Sequence, residues 1–453
     1  MEYIASALKA FFAFKAYVML PMLILLIGLA VRMKVKDVLF ATLTLAAGFA
    51  GVFVAFNFFV TRIGPAVKAI ADIRGLHYPV MDIGWPPLAA ITWAWKMAPA
   101  SIIAIGALNI AMIALRMTKV LYIDIWNYWH LALIGALLHS SGTNPFLSSI
   151  AVFLIAAYNF KTAEWSVPYM TRECHIEGVA LSPLSVAGLL PYAVAADRFL
   201  NLIPGLRRLN LDPSRARSKG TSLLADPMVI GFAVGLFLGI LAGYTLKGIL
   251  EISVEIAAVM FILPRCGEAI GKAMGEVSGA LRSKLEVRFS GYKGLSIAMD
   301  SEVVMGNPSV VATGLILIPI SLGIAFILPG NKVIPLGDLP NLISIMSLIV
   351  LVMRGNVIRA VLAGIPLVAA FLLIAGKLAP LFTTLASNTG MDFGAGSSPI
   401  TAFTDGGNIV RYWFLWLFRG NIIALILIPV VAFLLWLAWR DHRRVSEVLR
   451  NLG

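Results

Sequence analysis

Apolar residues in this chain come in blocks close to the length of a membrane-crossing helix, separated by short polar or basic segments. Eleven such blocks stand out, at residues 16–31, 38–61, 97–115, 125–139, 146–160, 228–245, 248–263, 310–328, 339–353, 360–376 and 412–439. Several fall short of the roughly 20 residues a straight crossing takes, so thinned bilayer, snorkelling ends or protein-shielded polar turns must make up the difference. Two further stretches, 178–196 and 381–410, mix apolar residues with breakers: Ser182-Pro183 and Pro191 in the first, Gly394-Ala395-Gly396-Ser397-Ser398-Pro399 and Asp405-Gly406-Gly407 in the second. Both read as re-entrant hairpins that enter and leave on one side. The pattern predicts an all-α polytopic membrane protein.

The blocks also repeat. Gly84-Trp85-Pro86 is followed by the block at 97–115 and then by Lys119-Val120-Leu121-Tyr122-Ile123-Asp124. Gly306-Asn307-Pro308 is followed by the block at 310–328 and then by Lys332-Val333-Ile334-Pro335-Leu336-Gly337-Asp338. Residues 1–200 therefore read as a first repeat, 201–227 as a basic cytoplasmic linker, 228–410 as a second repeat, and 411–453 as an extra helix with a basic cytoplasmic tail. Helix-breaking polar groups at matched depths suit an alternating-access carrier, because irregular backbone is tolerated in a bilayer only where protein buries it or it lines a cavity. A purely structural or receptor membrane protein has no need of them.

Charge adds the orientation. Lys and Arg exceed Asp and Glu by 13, which in a soluble protein would suggest nucleic acid. Here the chain is 60% hydrophobic and only 13% charged, and its basic residues gather at the ends of apolar blocks, where they orient helices and meet anionic lipid. No soluble segment is long enough to house a nucleic-acid-binding domain. With the amino terminus outside and the carboxyl tail inside, 25 of the 36 Lys and Arg fall in inner segments. That orientation makes the two repeats antiparallel. The linker basics Arg207, Arg208, Arg215, Arg217 and Lys219 read as a topology anchor. The first block runs into Arg32 without a small-x-small cleavage pattern, so it is expected to remain in the mature protein.

Candidate chemistry is sparse. Cys174 and Cys266 lie far apart with no CxxC or His/Cys grouping, so neither a metal site nor a disulfide is expected. There is no GxxxxGK[ST] loop, and no cofactor or ATP hydrolysis is expected. On a helix, Asp124, Asn127 and Tyr128 share one face at i, i+3 and i+4. Carboxylate, amide and ring together suit a polyhydroxylated ligand, and the same residues equally fit an interfacial aromatic belt with a capping Asp. Glu177, before the first hairpin, is open to a pathway role or a structural pairing. His139 reads as a structural histidine, and Glu251 and Glu255 as ion-pair partners of Lys247. Gly267, Gly271, Gly275 and Gly279 form a four-residue stripe that reads as a close-packing face, within the fold or between subunits.

At Gly84-Trp85-Pro86, Thr92-Trp93-Ala94, Asp124-Ile125-Trp126-Asn127 through His130, Gly135-Ala136-Leu137-Leu138-His139, Gly330-Asn331 with Gly337-Asp338, Arg354-Gly355-Asn356 and Ser398-Pro399-Ile400-Thr401, the chain resembles the galactitol-type enzyme IIC, the membrane component of the bacterial phosphotransferase system. The likeness covers nearly the whole length in order, and that family is similar in fold to the ascorbate-type carriers. The resemblance implies a homodimer in the cytoplasmic membrane, built from eleven-helix protomers that carry a sugar alcohol inward by an elevator motion. A phosphocysteine on a separate IIB component, itself charged by IIA, then phosphorylates the sugar at the inner face. The IIC chain itself supplies no catalytic residue. Ligand-lining positions implied by the match are Trp85, Asp124, Asn127, His130, Glu177, Asn307, Asp338 and Ser398. One departure stands out: after the Glu-Gly-x-Ala string the family tends to carry Pro-His where this chain has Ser182-Pro183, which opens the substrate to a pentitol or a hexitol other than galactitol. The competing reading is an ion-coupled secondary transporter of a small polar solute, with Glu177 or Asp338 as the coupling group.

The inverted arrangement has a direct check. Single cysteines replacing Lys119 and Lys332 are expected to react with a membrane-impermeant maleimide from opposite faces of sealed vesicles; labelling from one face removes the inversion.

Overall fold

The computed structural model describes residues 16–73, 75, 78–213, 226–288, 294–390 and 398–451. Arg215, Arg217 and Lys219 of the linker and Gly394 to Ser397 of the second hairpin lie outside these residues. Helices dominate, and the sequence shows how they start. Asn144, Asp226, Asn307, Asn356, Asn408 and Asn421 each stand at a helix N-cap with a side-chain oxygen accepting from a backbone N–H of the first turn. Away from water these N–H groups need such partners. At the other ends, Arg32, Arg116, His175 and Arg354 take left-handed φ values of 56 to 58° just past a helix. Each thereby places a basic residue at the negative end of a helix dipole.

Among the described residues, Val35–Ile73, Pro145–Cys174, Pro308–Ile327 and Val357–Asn388 are long and apolar enough to cross a bilayer. Trp85–Ala94 and Ala98–Ala114 together make a fifth, bent by 97° where Pro99 prevents the helix from running through. The chain is a helical, polytopic membrane protein. Two predicted blocks took a different form. Tyr128–Ser140 and Asn341–Val352 have only 13 and 12 residues and are buried along nearly their whole length. At roughly 20 Å they are shorter than the roughly 30 Å hydrocarbon layer, so they form the centre of the protein, shielded from lipid. The block at 360–376 continues to Asn388, absorbing the start of the second hairpin.

Among the described residues five short strands depart from the all-α expectation: β1 (Met81–Asp82), β2 (Val120–Leu121), β3 (Val179–Leu181), β4 (Ser296–Met299) and β5 (Ile400–Thr401). With two to four residues each, they are too short for an alternating pattern to register in sequence. Their pairing ties the halves together. β4, from the second repeat, lies between β2 and β3 of the first and runs parallel to both. β1, from the first repeat, pairs in parallel with β5, and Val80 bridges Val333, so β1 lies between two segments of the second repeat. Each repeat thus lends one strand to the other.

Around these sheets lie two apolar cores. One joins the Val35, Pro227, Leu246, Pro308 and Asn341 helices; the other joins the Tyr128 and Pro145 helices to Leu378, Phe382 and Phe414. In the glycine stripe, a Cβ on Gly267 would lie 2.3 Å from the Gly306 nitrogen, so this end packs on the loop before Pro308. Gly275 and Gly279 have open space in front of them. Lys247 pairs with Glu251 at 3.8 Å, but Glu255 pairs with Arg62 at 3.3 Å, since the long helices bring Arg62 alongside.

The two halves cross backbone to backbone at a pair of glycines. A Cβ on Gly337 would stand 2.7 Å from both the Asp82 oxygen and the Gly84 nitrogen, and one on Gly84 would stand 2.7 Å from the Gly337 oxygen. All three obstacles are backbone atoms, which cannot turn aside. Gly337→Ala is expected to destabilise the fold by about 1–3 kcal/mol through this overpacking, read as a lowered unfolding temperature in detergent, whereas Gly330→Ala has open space and tests only its positive φ.

Candidate functional site

Two short helices meet at the centre, and each opens on the same four-residue box. Asp124-Ile125-Trp126-Asn127 leads into Tyr128–Ser140, and Asp338-Leu339-Pro340-Asn341 leads into Asn341–Val352. Strand exchange then brings a second aspartate to each box. Asp300 follows β4 and meets the first; Asp82 ends β1 and meets the second. All four aspartates except the partly exposed Asp300 are buried.

In the first cluster the Asn127 amide donates to Asp124 Oδ2 and to Asp300 Oδ2, both at 2.7 Å. Ser182, which follows β3, donates to Asp124 Oδ2 at 2.5 Å and lies 3.3 Å from the same amide nitrogen. The backbone oxygen of Ser182 is in turn fixed by the Tyr122 hydroxyl and by Asn159, the latter at 2.8 Å. Ser301 and Ser344 share a hydrogen bond that links this cluster to the Asn341 helix. A void of about 30 Å³ lies beside Asp124 and Asp300, walled by Leu23, Ile24, Leu45, Phe49 and Met274. That volume is about one water's share of the liquid, so a hexitol enters only if the wall moves.

The second cluster uses backbone donors. Asp82 Oδ1 accepts from the Gly84 and Phe403 N–H groups at 3.1 and 3.0 Å, and its Oδ2 accepts from the Asp338 N–H at 3.1 Å. Asp338 accepts from the Trp85 N–H at 3.2 Å, from the Thr404 N–H at 3.0 Å and from the Thr404 hydroxyl. Asn341 donates to Thr404 Oγ1 at 2.8 Å and to Asp405 Oδ2 at 2.9 Å. Beyond them lies a buried trio: Asp405 Oδ1 is 3.3 Å from His130 Nδ1, and Arg411 contacts both residues. Trp85 and Trp129 stack nearby, with centroids 6.3 Å apart and planes 15° from parallel. Among the described residues no Lys or Arg forms an ion pair with Asp82, Asp124, Asp300 or Asp338. Their carboxyl oxygens are met by amide, hydroxyl and peptide donors instead.

The sequence-derived residues therefore divide by location. Asp124 and Asn127 form the first cluster; Trp85, His130 and Asp338 belong to the second. Glu177 and Asn307 line a separate cavity of about 790 Å³ with Glu173, Glu268 and Lys272. Asn307 also caps the Pro308 helix, a structural task that sequence reading did not assign to it. Ser398 is half-buried two residues before β5. Sequence reading missed Asp82, Asp300, Asn341, Thr404, Asp405 and Arg411 as site residues. For Asn341 the signal was available, because the Asp-x-x-Asn spacing recurs at the matched place in the second repeat. Asp82 and Asp300 stand at unequal distances from their Gly-x-Pro triplets, so only the strand pairing reveals them.

The family model for EIIC-GAT, the PTS system sugar-specific permease component, matches residues 10–396. The chain belongs to this family. It is similar to the PTS system galactitol-specific EIIC component of Escherichia coli strain K12, at 33% identity over 428 residues and 94% of each chain. The protein of the same name from Escherichia coli O157:H7 matches at the same identity and coverage. As an EIIC-GAT member, the chain is a multi-pass membrane permease component of the phosphotransferase system. In this permease component both Asp-x-x-Asn boxes fall inside the matched residues.

Asp124→Asn keeps the side chain's shape and removes its charge. It is expected to weaken sugar binding by about 1.5–3 kcal/mol, the worth of a charge-assisted hydrogen bond. Calorimetric titration of the purified protein measures this, and an affinity equal to wild type removes Asp124 from the binding site.

Proposed function

We propose that this chain carries a sugar alcohol inward for phosphorylation by a separate IIB component that is itself charged by IIA. The observation that carries this reading is the pair of Asp-x-x-Asn boxes, each completed by an aspartate lent from the other repeat. Arrays of carboxylate, amide and hydroxyl groups match the alternating donors and acceptors of a polyol, and the Trp85–Trp129 pair offers a flat surface for its C–H faces. Trp85, Asp124, Asn127, His130 and Asp338 are the sugar-facing residues in this proposal. Glu177 and Asn307 line the cavity on the inner side, through which sugar phosphate leaves, and Ser398 stands at the β5 edge. The protomer crosses the membrane eleven times, with the amino terminus outside and the carboxyl terminus in the cytoplasm. It works as a homodimer by an elevator motion.

Galactitol is the reference substrate, because the galactitol-specific relative is alike over nearly its full length. Ser182 belongs to the Ser182-Pro183 pair at which the chain departs from the family's usual Pro-His. Its hydroxyl is spent on Asp124 within the first cluster, so a change here alters the sugar's surroundings directly. Ser182-Pro183 stands where the family tends to carry Pro-His, so a pentitol or another hexitol is the alternative cargo.

In inverted and right-side-out vesicles, uptake is expected to require phosphoenolpyruvate and the soluble components through IIB, and to deliver sugar phosphate. Free sugar accumulating under a proton or sodium gradient alone would reject group translocation in favour of an ion-coupled carrier.

A further inference from the structure

Four buried polar atoms close to the second cluster lack a hydrogen-bond partner among the described residues. They are Trp129 Nε1, Asp405 Oδ1, Asn408 Nδ2 and Arg411 Nε, and their residues are at most 2% exposed. They belong to one connected group. Arg411 donates to the Asp405 backbone oxygen, its guanidinium carbon lies 5.9 Å from the centre of the Trp129 ring, and its N–H is capped by Asn408 Oδ1 at 2.9 Å. Leaving one such group unpaired costs on the order of 1–3 kcal/mol, so four in one place point to a ligand.

The chemistry of the four atoms selects the ligand. Three are donors and would accept an anion or a hydroxyl oxygen equally well. Asp405 Oδ1 is an acceptor. Arg411 Nη2, which can only donate, stands 3.3 Å from His130 Nδ1 and 3.4 Å from the His130 backbone oxygen. Asp405 Oδ1 stands 3.3 Å from that same nitrogen, so a carboxyl acceptor sits among the three donors. An anionic ligand would place its charge against the Asp405 carboxyl group. A hydroxyl group both accepts and donates.

We infer that Trp129, Asp405, Asn408 and Arg411 form a further polyol subsite, in which vicinal hydroxyls of the sugar alcohol accept from Trp129, Asn408 and Arg411 and donate to Asp405. The inference rests on the proposed sugar-alcohol function and extends it to residues that lie outside both Asp-x-x-Asn boxes. The Trp85–Trp129 stack forms the apolar side of the subsite, so the carbon chain of the polyol lies along it. These residues fix which hydroxyl configuration is accepted.

Two substitutions remove a donor while keeping the known structural contact. Trp129→Phe retains an aromatic ring against Trp85 and deletes Nε1. Asn408→Ser keeps a helix-capping oxygen and deletes Nδ2. Binding of galactitol and its monodeoxy analogues to the purified full-length chain is measured by calorimetric titration, alongside unfolding temperature without ligand. Each variant is expected to lose about five- to thirtyfold in galactitol affinity. One monodeoxy analogue is expected to bind wild type and variant alike, because the contact is already absent; a purely structural role weakens every analogue by the same factor. Galactitol affinity unchanged in a folded Trp129→Phe or Asn408→Ser protein overturns the subsite, as does a uniform loss across the analogues. If wild type binds neither galactitol nor a panel of pentitols and hexitols, the sugar-alcohol function falls and the subsite falls with it.

Discussion

Aspartates in the middle of a membrane protein must be hydrogen-bonded without bulk water, and the way this chain does so organises the rest of it. Asp82 belongs to the first repeat but accepts from the Asp338 and Phe403 N–H groups of the second. Asp338 belongs to the second and accepts from Trp85 of the first. Asp300 belongs to the second and accepts from Asn127 of the first. Every one of these contacts crosses between repeats. An isolated charge in such surroundings would be costly by several kcal/mol or more, so Asp82, Asp300 and Asp338 depend on donors from the other half, while Asp124 is met by Asn127 and Ser182 of its own. The exchanged strands β1 and β4 are the covalent route by which each repeat delivers its aspartate to the other, and the Gly84–Gly337 crossing is the close approach that this route demands.

The two clusters are related in plan and unequal in detail. In the first, one amide group bridges two carboxylates, with a serine hydroxyl as third donor. In the second, the carboxylates are held mainly by peptide N–H groups, and the amide turns outward to Thr404 and Asp405, beside Arg411 and His130. Peptide donors are fixed in place by the backbone, whereas side-chain donors can rotate toward a ligand. The first cluster is therefore the more adaptable of the two, and the second is the more rigid. A carrier that must release its cargo needs at least one side of its site to give way.

Much of this was legible in the sequence, and the part that was not has a physical cause. The helical, membrane-spanning character follows from hydropathy, and Asp124, Asn127 and Asp338 as polar candidates follow from spacing. The central helices looked like the other blocks because a fully buried helix and a lipid-facing one are equally apolar; only the lengths of Tyr128–Ser140 and Asn341–Val352 set them apart. The strands were invisible because two residues carry no period. Asp82, Asp300 and Arg411 were missed because pairing between distant segments, such as Met81 with Ile400, brings them to the site, and spacing along one chain does not encode it. Asn307 carries a task its motif did not announce: it caps the Pro308 helix, whereas the matching helix start at Gly84 has no side-chain cap.

The same hydrogen bonds bear on how such a site changes its exposure. Opening a cleft between the repeats would break the contacts of Asp82, Asp300 and Asp338 together and leave their partners unpaired in a dry interior. Sliding the joined clusters as one body past the Ala16–Ala30, Val35–Ile73 and Leu246–Arg288 helices breaks none of them. The void beside Asp124 and Asp300 is walled on that side by Leu23, Ile24, Leu45, Phe49 and Met274, side chains without polar partners to lose. Dispersion contacts re-form at each position along an apolar surface, whereas hydrogen bonds hold in only one register. The energetics thus favour the elevator motion proposed for this family member over a hinge between its halves.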